Sequence, residues 1–590
     1  MDDESFMKYT LQFSMELLRA STMVLLLAGC HKPPPAPGAE DTKARDVRLY
    51  SPAPTPFTPT SDNAAAQITA EDLRRHIAVL SGDAFEGRGA ATRADLKTRA
   101  YLQGELQVMG YEPGGADGSW QQPFDLVGIE THAPKKWLFQ KGKQQVALGD
   151  WTDFIAVSGV QQPTAAISSA EVVFVGYGIQ APEYQWDDFK GGSNQRDLKG
   201  KVLLMLNNDP DWDPTLFAGS TRLYYGRWTY KYESAARQGA AGAIIIHTTA
   251  SAGYPFQVVQ TSWSGQQFQL PAAGEPRLQV RSWLTEAAAR KLVTLSGYDL
   301  DALIRSAHSR DFKPVPLGVT TSLKLTSTIT HAQTANVLGL LPGSDPQAAK
   351  EVVVYTAHHD HLGIGHPDAH GDRIYNGALD NAAGDAQVLA IAKAYKALLT
   401  PPKRSVLILL VGAEEQGLLG SQYYASHPTF PPGRIAADIN YDGGNVWGRT
   451  RDIASIGKGS STLDAAVDIV AQRQGRVVEP DPYPDRGHFY RSDQFSFAKV
   501  GVPAVYLNVG TDFIGRPAGW GRQQIEDYES HRYHQPSDEL RNDWNFDGMI
   551  EDAQLGFWVG LITADADSLP SWTLGNEFEA ARKQAVAAAP

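Results

Sequence analysis

The sequence predicts an α/β fold in which a mixed, mostly parallel central sheet is flanked by helices. From residue 334 onward, short apolar runs alternate with segments of helical periodicity. Residues 352–355 read VVVY, a continuous apolar run that is typical of a strand buried on both faces. Residues 171–247 consist instead of short β-rich runs, which indicates a second, inserted β-rich domain.

Size and charge limit the classes of function. The 590 residues exceed one ordinary core, and 42% hydrophobic and 10% aromatic residues indicate a globular chain. The net charge of −13 supplies no positive face that could displace counterions from nucleic acid. We therefore exclude nucleic acid as a partner.

The N-terminus resembles a bacterial lipoprotein signal peptide. Residues 23–30 read MVLLLAGC, an apolar run that ends in small residues and the chain's single cysteine, Cys30. A Pro- and Ala-rich stretch follows, as expected of a tether. We expect a lipid-anchored protein at the outer membrane of a Gram-negative bacterium, facing the periplasm, because His31 is not the aspartate associated with inner-membrane retention. An ordinary buried cysteine is the alternative.

Two helices are predicted at the start of the ordered chain. Thr69 is placed to cap a helix that reaches Leu80, and a second helical pattern runs from Leu96 to Met109. We expect both to pack on the α/β body. Residues 382–399 have helical periodicity as well, and residues 405–411, 435–441 and 502–507 are predicted to be further buried strands.

A resemblance accounts for the β-rich segment. LKGKVLLML, an alanine-containing helix and GAAGAIII follow one another between residues 198 and 246. This succession resembles the protease-associated domain that is inserted in several exported peptidases. A generic βαβ unit is the alternative interpretation.

Five segments place His, Asp or Glu at or just after predicted strand ends, where open α/β sheets bind ligands. They are TAHHDHLG (356–363), NGALDNAAGD (376–385), VGAEEQGLLG (411–420), NYDGGN (440–445) and YHQPSD (533–538). Taken singly, each has an ordinary explanation, such as a polar strand rim, a helix cap, a turn aspartate or a solvated loop histidine. With no other cysteine in the chain, any metal must be held by His and carboxylates.

Two of these segments contain informative neighbours. In an extended chain His358 and Asp360 point to the same side, so Asp360 is placed to accept a hydrogen bond from a metal-binding His358. Glu414 and Glu415 are adjacent after a buried strand, which is unfavourable unless a cation or a proton compensates. Their side chains diverge, so we expect one to bind metal and the other to act as a base.

The five segments, in this order, resemble the dizinc aminopeptidase family, whose relatives include glutamate carboxypeptidase II, the transferrin receptor and glutaminyl cyclase. The resemblance implies the zinc exopeptidase fold, two Zn²⁺ per chain and peptide substrates with a free N-terminus. It also implies five metal ligands: His358, Asp380, Glu415, Asp442 and His534.

The resemblance further assigns the mechanism. His358 and Asp442 would hold one zinc ion, Glu415 and His534 the other, and Asp380 would bridge both. A metal-bridging hydroxide would attack the scissile carbonyl with Glu414 as general base, and Asp360 would support His358. These two residues complete the predicted catalytic set.

Other members of the family remain alternatives. A carboxypeptidase of the glutamate-releasing type would need basic side chains such as Arg491 or Arg516 near the site. Glutaminyl cyclase uses a single zinc ion, and receptor-like relatives lose ligands, whereas this chain has the complete set. The oligomeric state is not predicted.

The expected domain organisation has six parts. Residues 1–30 form the signal peptide with the lipidated cysteine, 31–66 the tether, 67–150 the N-terminal part of the peptidase domain, 151–320 the protease-associated insertion, 321–565 the catalytic domain and 566–590 a C-terminal tail.

Overall fold

Strands and helices alternate within residues 57–190 and 198–589, which the computed structural model describes. The strands are β1 (Glu112–Pro113), β2 (Gln121–His132), β3 (Lys136–Lys141), β4 (Gln144–Gly149), β5 (Phe154–Ser158), β6 (Thr164–Phe174), β7 (Gln180–Ala181), β8 (Trp186–Asp187), β9 (Val202–Leu206), β10 (Gly242–His247), β11 (Gln266–Gln269), β12 (Val280–Thr285), β13 (Val315–Leu341), β14 (Val352–His358), β15 (Gly363–Ile364), β16 (Ile374–Tyr375), β17 (Ser405–Val411), β18 (Ile435–Asn440), β19 (Asp452–Ile456), β20 (Val477–Glu479) and β21 (Ala504–Val509). The helices are α1 (Pro59–Ala65), α2 (Ala70–Leu80), α3 (Arg93–Val108), α4 (Trp228–Arg237), α5 (Thr249–Ala252), α6 (Phe256–Ser262), α7 (Glu286–Ser296), α8 (Leu300–Ala307), α9 (Ala383–Lys396), α10 (Leu419–Ser426), α11 (Asp464–Arg473), α12 (Gln494–Lys499), α13 (Trp520–His531), α14 (Asp547–Asp565) and α15 (Glu579–Ala588).

The central sheet has the strand order β2–β13–β17–β14–β18–β21–β19–β20. Its middle strands β17, β14, β18 and β21 are parallel. At one edge β13 and β2 pair antiparallel to their neighbours, and at the other β19 is antiparallel to β21. The predicted α/β fold with a mixed central sheet is therefore confirmed.

Alternation along β14 explains its continuous apolar run. Val353 and Tyr355 belong to the core on one face of the sheet, whereas Val352 and Val354 belong to the core on the other face. Helices α9 and α14 contribute to the first core, and α10 and α12 to the second. A strand that is covered on both faces has no place for alternating polar residues.

The N-terminal helices agree with their predicted patterns. Thr69 caps α2 by accepting a hydrogen bond from the backbone N–H of Asp72, and α3 ends at Val108. Residues 59–65, which the prediction included in the tether, form α1. The capping residue Thr58 and the first-turn proline Pro59 favour a helix there, and the helix buries Ala64 and Ala65.

Residues 133–314, between β2 and β13, form what we call the inserted lobe. Its strands β6, β9, β10 and β12 are parallel, with β5 antiparallel at the edge. The first half of the 27-residue strand β13 pairs with β6, and its second half joins the central sheet. The lobe has apolar cores of its own, which include Trp137, Phe139 and Trp283. Its identity as a protease-associated domain stays a prediction.

The described residues include helix α15 near the C-terminus but not the predicted signal peptide. Cys30 and the predicted signal peptide lie outside the described residues, so lipid anchoring and localisation stay predictions. Among the described helices, none combines the length and apolar character needed to span a bilayer. At the other end, Arg582 of α15 is buried and donates hydrogen bonds to the carbonyl oxygens of Pro432, Ile435 and Pro570.

Candidate metal centre

Most of the predicted site residues lie at the carboxyl ends of parallel strands, at one edge of the sheet. His358 is the last residue of β14, Glu414 and Glu415 follow the end of β17, and Asp442 follows the end of β18. These three strands are adjacent and parallel, so their carboxyl ends lie side by side. This is the edge where open α/β sheets bind ligands.

Asp380 and His534 reach the same place from loops. Asp380 lies in a helical turn, Ala378–Ala382, that leads into α9. The carboxylate of Asp538 accepts hydrogen bonds at 3.0 Å from the backbone N–H groups of Leu379 and Asp380, which fixes this turn. His534 follows α13 and has a left-handed backbone with φ of 56°.

Asp380 lies between two histidines. Its Oδ1 is 3.2 Å from Nε2 of His358, and its Oδ2 is 3.1 Å from Nε2 of His534. A further carboxylate approaches each ring: Asp442 Oδ1 is 3.3 Å from His358 Nε2, and Glu415 Oε2 is 3.1 Å from His534 Nε2. The structure thus brings all five predicted ligands into one cluster with two halves that share Asp380.

The electrostatics of the cluster are those of opposite charges held in a buried space. Burial alone lowers the pKa of His534, but Glu415 and Asp380 outweigh it and raise this pKa to about 10. Burial raises the pKa of Glu415, but His534 and His361 outweigh it and lower this pKa to about 2. The Glu415 carboxylate is therefore held in the charged form that a metal ion requires.

Glu414 has a different environment from its neighbour. Burial is the main cause that raises its pKa well above the ordinary value, and the negative charges of Glu415 and Asp442 add to this shift. Its Oε2 is 3.9 Å from Nε2 of His358, farther than the carboxylates of the cluster. It faces the cavity beside the cluster, where a group that exchanges protons can act.

Asp360 contacts the glutamate loop more closely than it contacts His358. Its carboxylate accepts hydrogen bonds from the backbone N–H groups of Glu414 at 2.9 Å and Glu415 at 3.3 Å. The nearest acceptor to Nδ1 of His358 is the backbone oxygen of Asp360, at 3.2 Å, and its carboxylate oxygen Oδ1 is 3.9 Å away. His359, the next residue, approaches the carbonyl oxygen of Ala335 instead.

Two residues of the cluster's surroundings were missed from the sequence. His361 Nδ1 lies 2.7 Å from Oε1 of Glu415, and Ser262 Oγ lies 2.7 Å from Nδ1 of His534. His361 is part of the TAHHDHLG segment, so the sequence shows a histidine beside the predicted ligands but gives it no role. Ser262 belongs to α6 of the inserted lobe, and nothing in the sequence links it to His534.

The donor set fits a divalent transition metal. Ligand atoms of His358, Asp380 and Glu415 all lie within 4.8 Å of one another. Imidazole and carboxylate donors suit zinc, and they also accept cobalt or manganese. Without a cation, the three ligand carboxylates of this cluster would depend on neighbouring histidines for compensation of their charge.

Two cavities open beside the cluster. The first cavity contains all five candidate ligands together with Glu414, and its walls include Trp447, Ile456, Tyr483 and Val509. The second cavity lies between the cluster and the inserted lobe and contains Glu414, Glu415 and His534. Tyr254 and Tyr533 line both.

The sequence around this cluster matches a known family. Residues 336–557 match the profile of "Peptidase family M28", a range that contains all the candidate ligands. This region of the chain resembles peptidase family M28. The solved aminopeptidase from Aneurinibacillus sp. strain AM-1 has the same fold as this chain, with a TM-score of 0.51 and 18% identity over 86% of this chain and 97% of that one.

Two curated relatives match this chain in sequence. Leupeptin-inactivating enzyme 1 of Streptomyces exfoliatus is 27% identical over 44% of this chain and 52% of its own. Aminopeptidase YwaD of Bacillus subtilis is 25% identical over 38% of this chain and 43% of its own. The chain spans about half the length of the curated relatives it matches.

Proposed function

We propose that this chain is a zinc-dependent aminopeptidase that holds two Zn²⁺ and removes residues from the N-terminus of peptides. The main support for the proposal is the position of Asp380. Its Oδ1 lies near His358, and its Oδ2 lies near His534. The names of two matched proteins, an aminopeptidase of Bacillus subtilis and one of Aneurinibacillus, support the same activity.

The ligand roles follow the two halves of the cluster. His358 with Asp442 would hold one ion, and His534 with Glu415 the other, with Asp380 between them. Two bound zinc ions supply a water of lowered pKa and a polarised scissile carbonyl. The same halves explain why three carboxylates are gathered in a buried place.

Glu414 would serve as general base. Its raised pKa suits a group that takes a proton from the attacking water and donates it to the leaving amine. Its carboxylate stands apart from the five ligands while it shares both cavities with the cluster. Asp360 would position Glu414 and Glu415 through their backbone N–H groups.

The first cavity would receive the N-terminal residue of the substrate. Its apolar walls, among them Ile456 and Val509, favour an uncharged side chain. The substrate's free α-amine would lie near the carboxylates of the cluster. An uncharged first residue such as leucine is therefore the appropriate probe.

The test compares two substrates and one treatment. We expect release of p-nitroaniline from leucine p-nitroanilide and no cleavage of an N-acetylated peptide with a free C-terminus. Dialysis against a chelator should abolish the activity, and added Zn²⁺ should restore it. Cleavage of the blocked peptide alone would instead identify a carboxypeptidase, and activity that survives exhaustive chelation would contradict a metal mechanism.

A further inference from the structure

The second cavity is strongly cationic in a chain whose net charge is −13. Three arginines line it: Arg227, Arg281 and Arg491. The only acidic residues among its lining are Glu414 and Glu415, which belong to the proposed catalytic site. The cavity therefore carries positive charge beyond what its own carboxylates neutralise.

Two of these guanidinium groups each contain a buried nitrogen atom without a hydrogen bond among the described residues. The Nε atoms of Arg227 and Arg281 are buried without a hydrogen bond, and neither group forms an ion pair with the part of the chain that the structure describes. The buried Arg476, by contrast, forms an ion pair, with Nη1 2.7 Å from Asp552. A guanidinium with a buried and unpaired N–H group is unfavourable, which indicates that an anion completes the site.

The charge of both groups persists at neutral pH. Burial is the main cause that lowers the pKa of Arg227 and of Arg281, in each case to about 10. Both side chains therefore stay protonated where a peptidase works. Their Nε–H groups remain donors with no acceptor among the described residues.

Aromatic rings hold the two guanidinium groups in place. Arg227 lies over the ring of Trp228 with its Cζ 5.2 Å from the centroid, and Arg281 lies over Trp263 at 5.7 Å. Such contacts use the face of the guanidinium and leave its N–H edge available for a planar anion. A carboxylate matches this edge through two parallel hydrogen bonds.

The position of the cavity decides which part of a substrate it receives. A base that protonates the leaving amine must lie beside the leaving residue, and Glu414 lines both cavities. Because the first cavity would receive the N-terminal residue, the second remains for the leaving fragment. The candidate ligands His358, Asp380 and Asp442 line only the first cavity. The leaving fragment thus points toward Arg227. The negative charge of Glu414 acts to raise the pKa of this arginine.

We infer that Arg227 and Arg281 bind a carboxylate of the leaving fragment, which makes short peptides, above all dipeptides with a free C-terminal carboxylate, the preferred substrates. This inference rests on the proposed aminopeptidase function. The carboxylate can be the chain terminus or an acidic side chain of the second residue, since both offer the same anion.

The wild-type test separates these sources with three substrates that share N-terminal leucine: Leu-Ala, Leu-Ala-amide and Leu-Glu-amide. We expect kcat/KM for Leu-Ala to exceed that for Leu-Ala-amide by about tenfold or more, the size expected for hydrogen bonds to a charged group. If kcat/KM is raised only for Leu-Glu-amide, the carboxylate that the arginines bind is the acidic side chain of the second residue. Equal values for all three substrates would overturn the inference, while hydrolysis of leucine p-nitroanilide would still support the proposed function.

Variants then assign the effect to the two arginines. Arg227→Gln and Arg281→Gln should each reduce the ratio of kcat/KM between Leu-Ala and Leu-Ala-amide about tenfold. Arg305→Gln, an exposed arginine of the same lobe that lines neither cavity, should keep the wild-type ratio. An unchanged ratio in both cavity variants would contradict the assignment. Cleavage of N-acetyl-Leu-Ala at the rate of Leu-Ala would mean that this enzyme is a carboxypeptidase that recognises the C-terminal carboxylate. The proposed aminopeptidase function would then be wrong.

Discussion

At the scale of single residues, Glu414 and Glu415 illustrate how one peptide bond separates two chemical roles. Glu415 lies between His534 at 3.1 Å and His361 at 2.7 Å, and its pKa falls to about 2 because these partners outweigh burial. Glu414 lacks such close partners, and burial keeps its pKa high. The first environment suits a metal ligand, and the second suits a base.

This contrast predicts different outcomes for two isosteric variants. Glu414→Gln should retain zinc and lose activity on leucine p-nitroanilide by about 10²–10⁴-fold, the usual contribution of general acid–base catalysis. Glu415→Gln should lose zinc occupancy as well as activity. Elemental analysis of the purified variants beside steady-state kinetics checks both. Full zinc content with near-normal turnover in Glu414→Gln would refute its role as base.

At the scale of secondary-structure elements, α6 connects the inserted lobe to the candidate metal centre. Its last residue, Ser262, contacts Nδ1 of His534, the ring nitrogen opposite the one that faces the cluster. A hydrogen bond at this nitrogen fixes the orientation and tautomer of a metal-binding histidine. The lobe therefore takes part in building the site in addition to lining its cavities.

Removing this contact should weaken metal binding. Ser262→Ala should lower zinc affinity by roughly 10–100-fold, the range typical of partners that orient metal ligands. Competition with a fluorescent zinc chelator measures the effect. Ser264→Ala is the matched control, because that hydroxyl donates to the carbonyl oxygen of Thr261 in the same segment. Equal affinities in the two variants would mean that Ser262 does not orient His534.

Helix α14 packs on the central sheet through glycines. A Cβ atom on Gly560 would lie 1.8 Å from the hydroxyl oxygen of Tyr355, and one on Gly556 would lie 1.7 Å from that of Tyr441. Both tyrosines are fully buried, and Tyr355 donates a hydrogen bond to the carbonyl oxygen of Gly556. The close approach of helix and sheet thus depends on the missing side chains.

We expect Gly560→Ala to lower the free energy of unfolding by about 1–3 kcal/mol, the usual effect of overpacking a core. Gly104→Ala is the control, since Gly104 is in helix α3 and its added Cβ would meet open space. That variant should be stabilised by up to about 1 kcal/mol through helix propensity. Urea denaturation of both proteins measures the difference, and an equal stability for Gly560→Ala and the wild type would disprove the packing argument.

At the scale of the whole molecule, Arg88 joins the N-terminal segment to the loops of the site. Its side chain is fully buried and donates hydrogen bonds to four carbonyl oxygens. The acceptors are Leu80 in α2, His359 after β14, and Asn376 and Gly377 before the turn that carries Asp380. One guanidinium group therefore couples parts of the chain that are almost 300 residues apart.

Arg88→Lys should destabilise the protein and disturb the site together. An ammonium group cannot reach all four acceptors, so we expect a loss of about 2 kcal/mol or more from buried carbonyls left without donors, with reduced zinc content. Arg93→Lys, at an exposed arginine of the same segment, should behave as wild type. Denaturant unfolding and metal analysis check both effects. A midpoint for Arg88→Lys within error of the wild type would rule out this coupling role.

The apolar runs in the sequence were sufficient to predict the strands that carry the site residues. The runs at 352–355 and 405–411 became β14 and β17, because a strand covered on both faces must be apolar throughout. The long strand β13 was not predicted. Burial alternates along its first part, beside the lobe strand β6, and is nearly continuous at its end, beside β17, so no single period describes it.

The sequence by itself determined which residue types are available for metal chemistry and at which strand ends they occur, since strand period and the absence of a second cysteine are local properties of the chain. Only the tertiary structure decided that Ser262, Arg227 and Arg281 of the inserted lobe face the same site. The contact between Ser262 and His534 joins residues 272 positions apart in the sequence, and the two arginines share a cavity with the site. Packing between distant segments leaves no periodic signal in the chain.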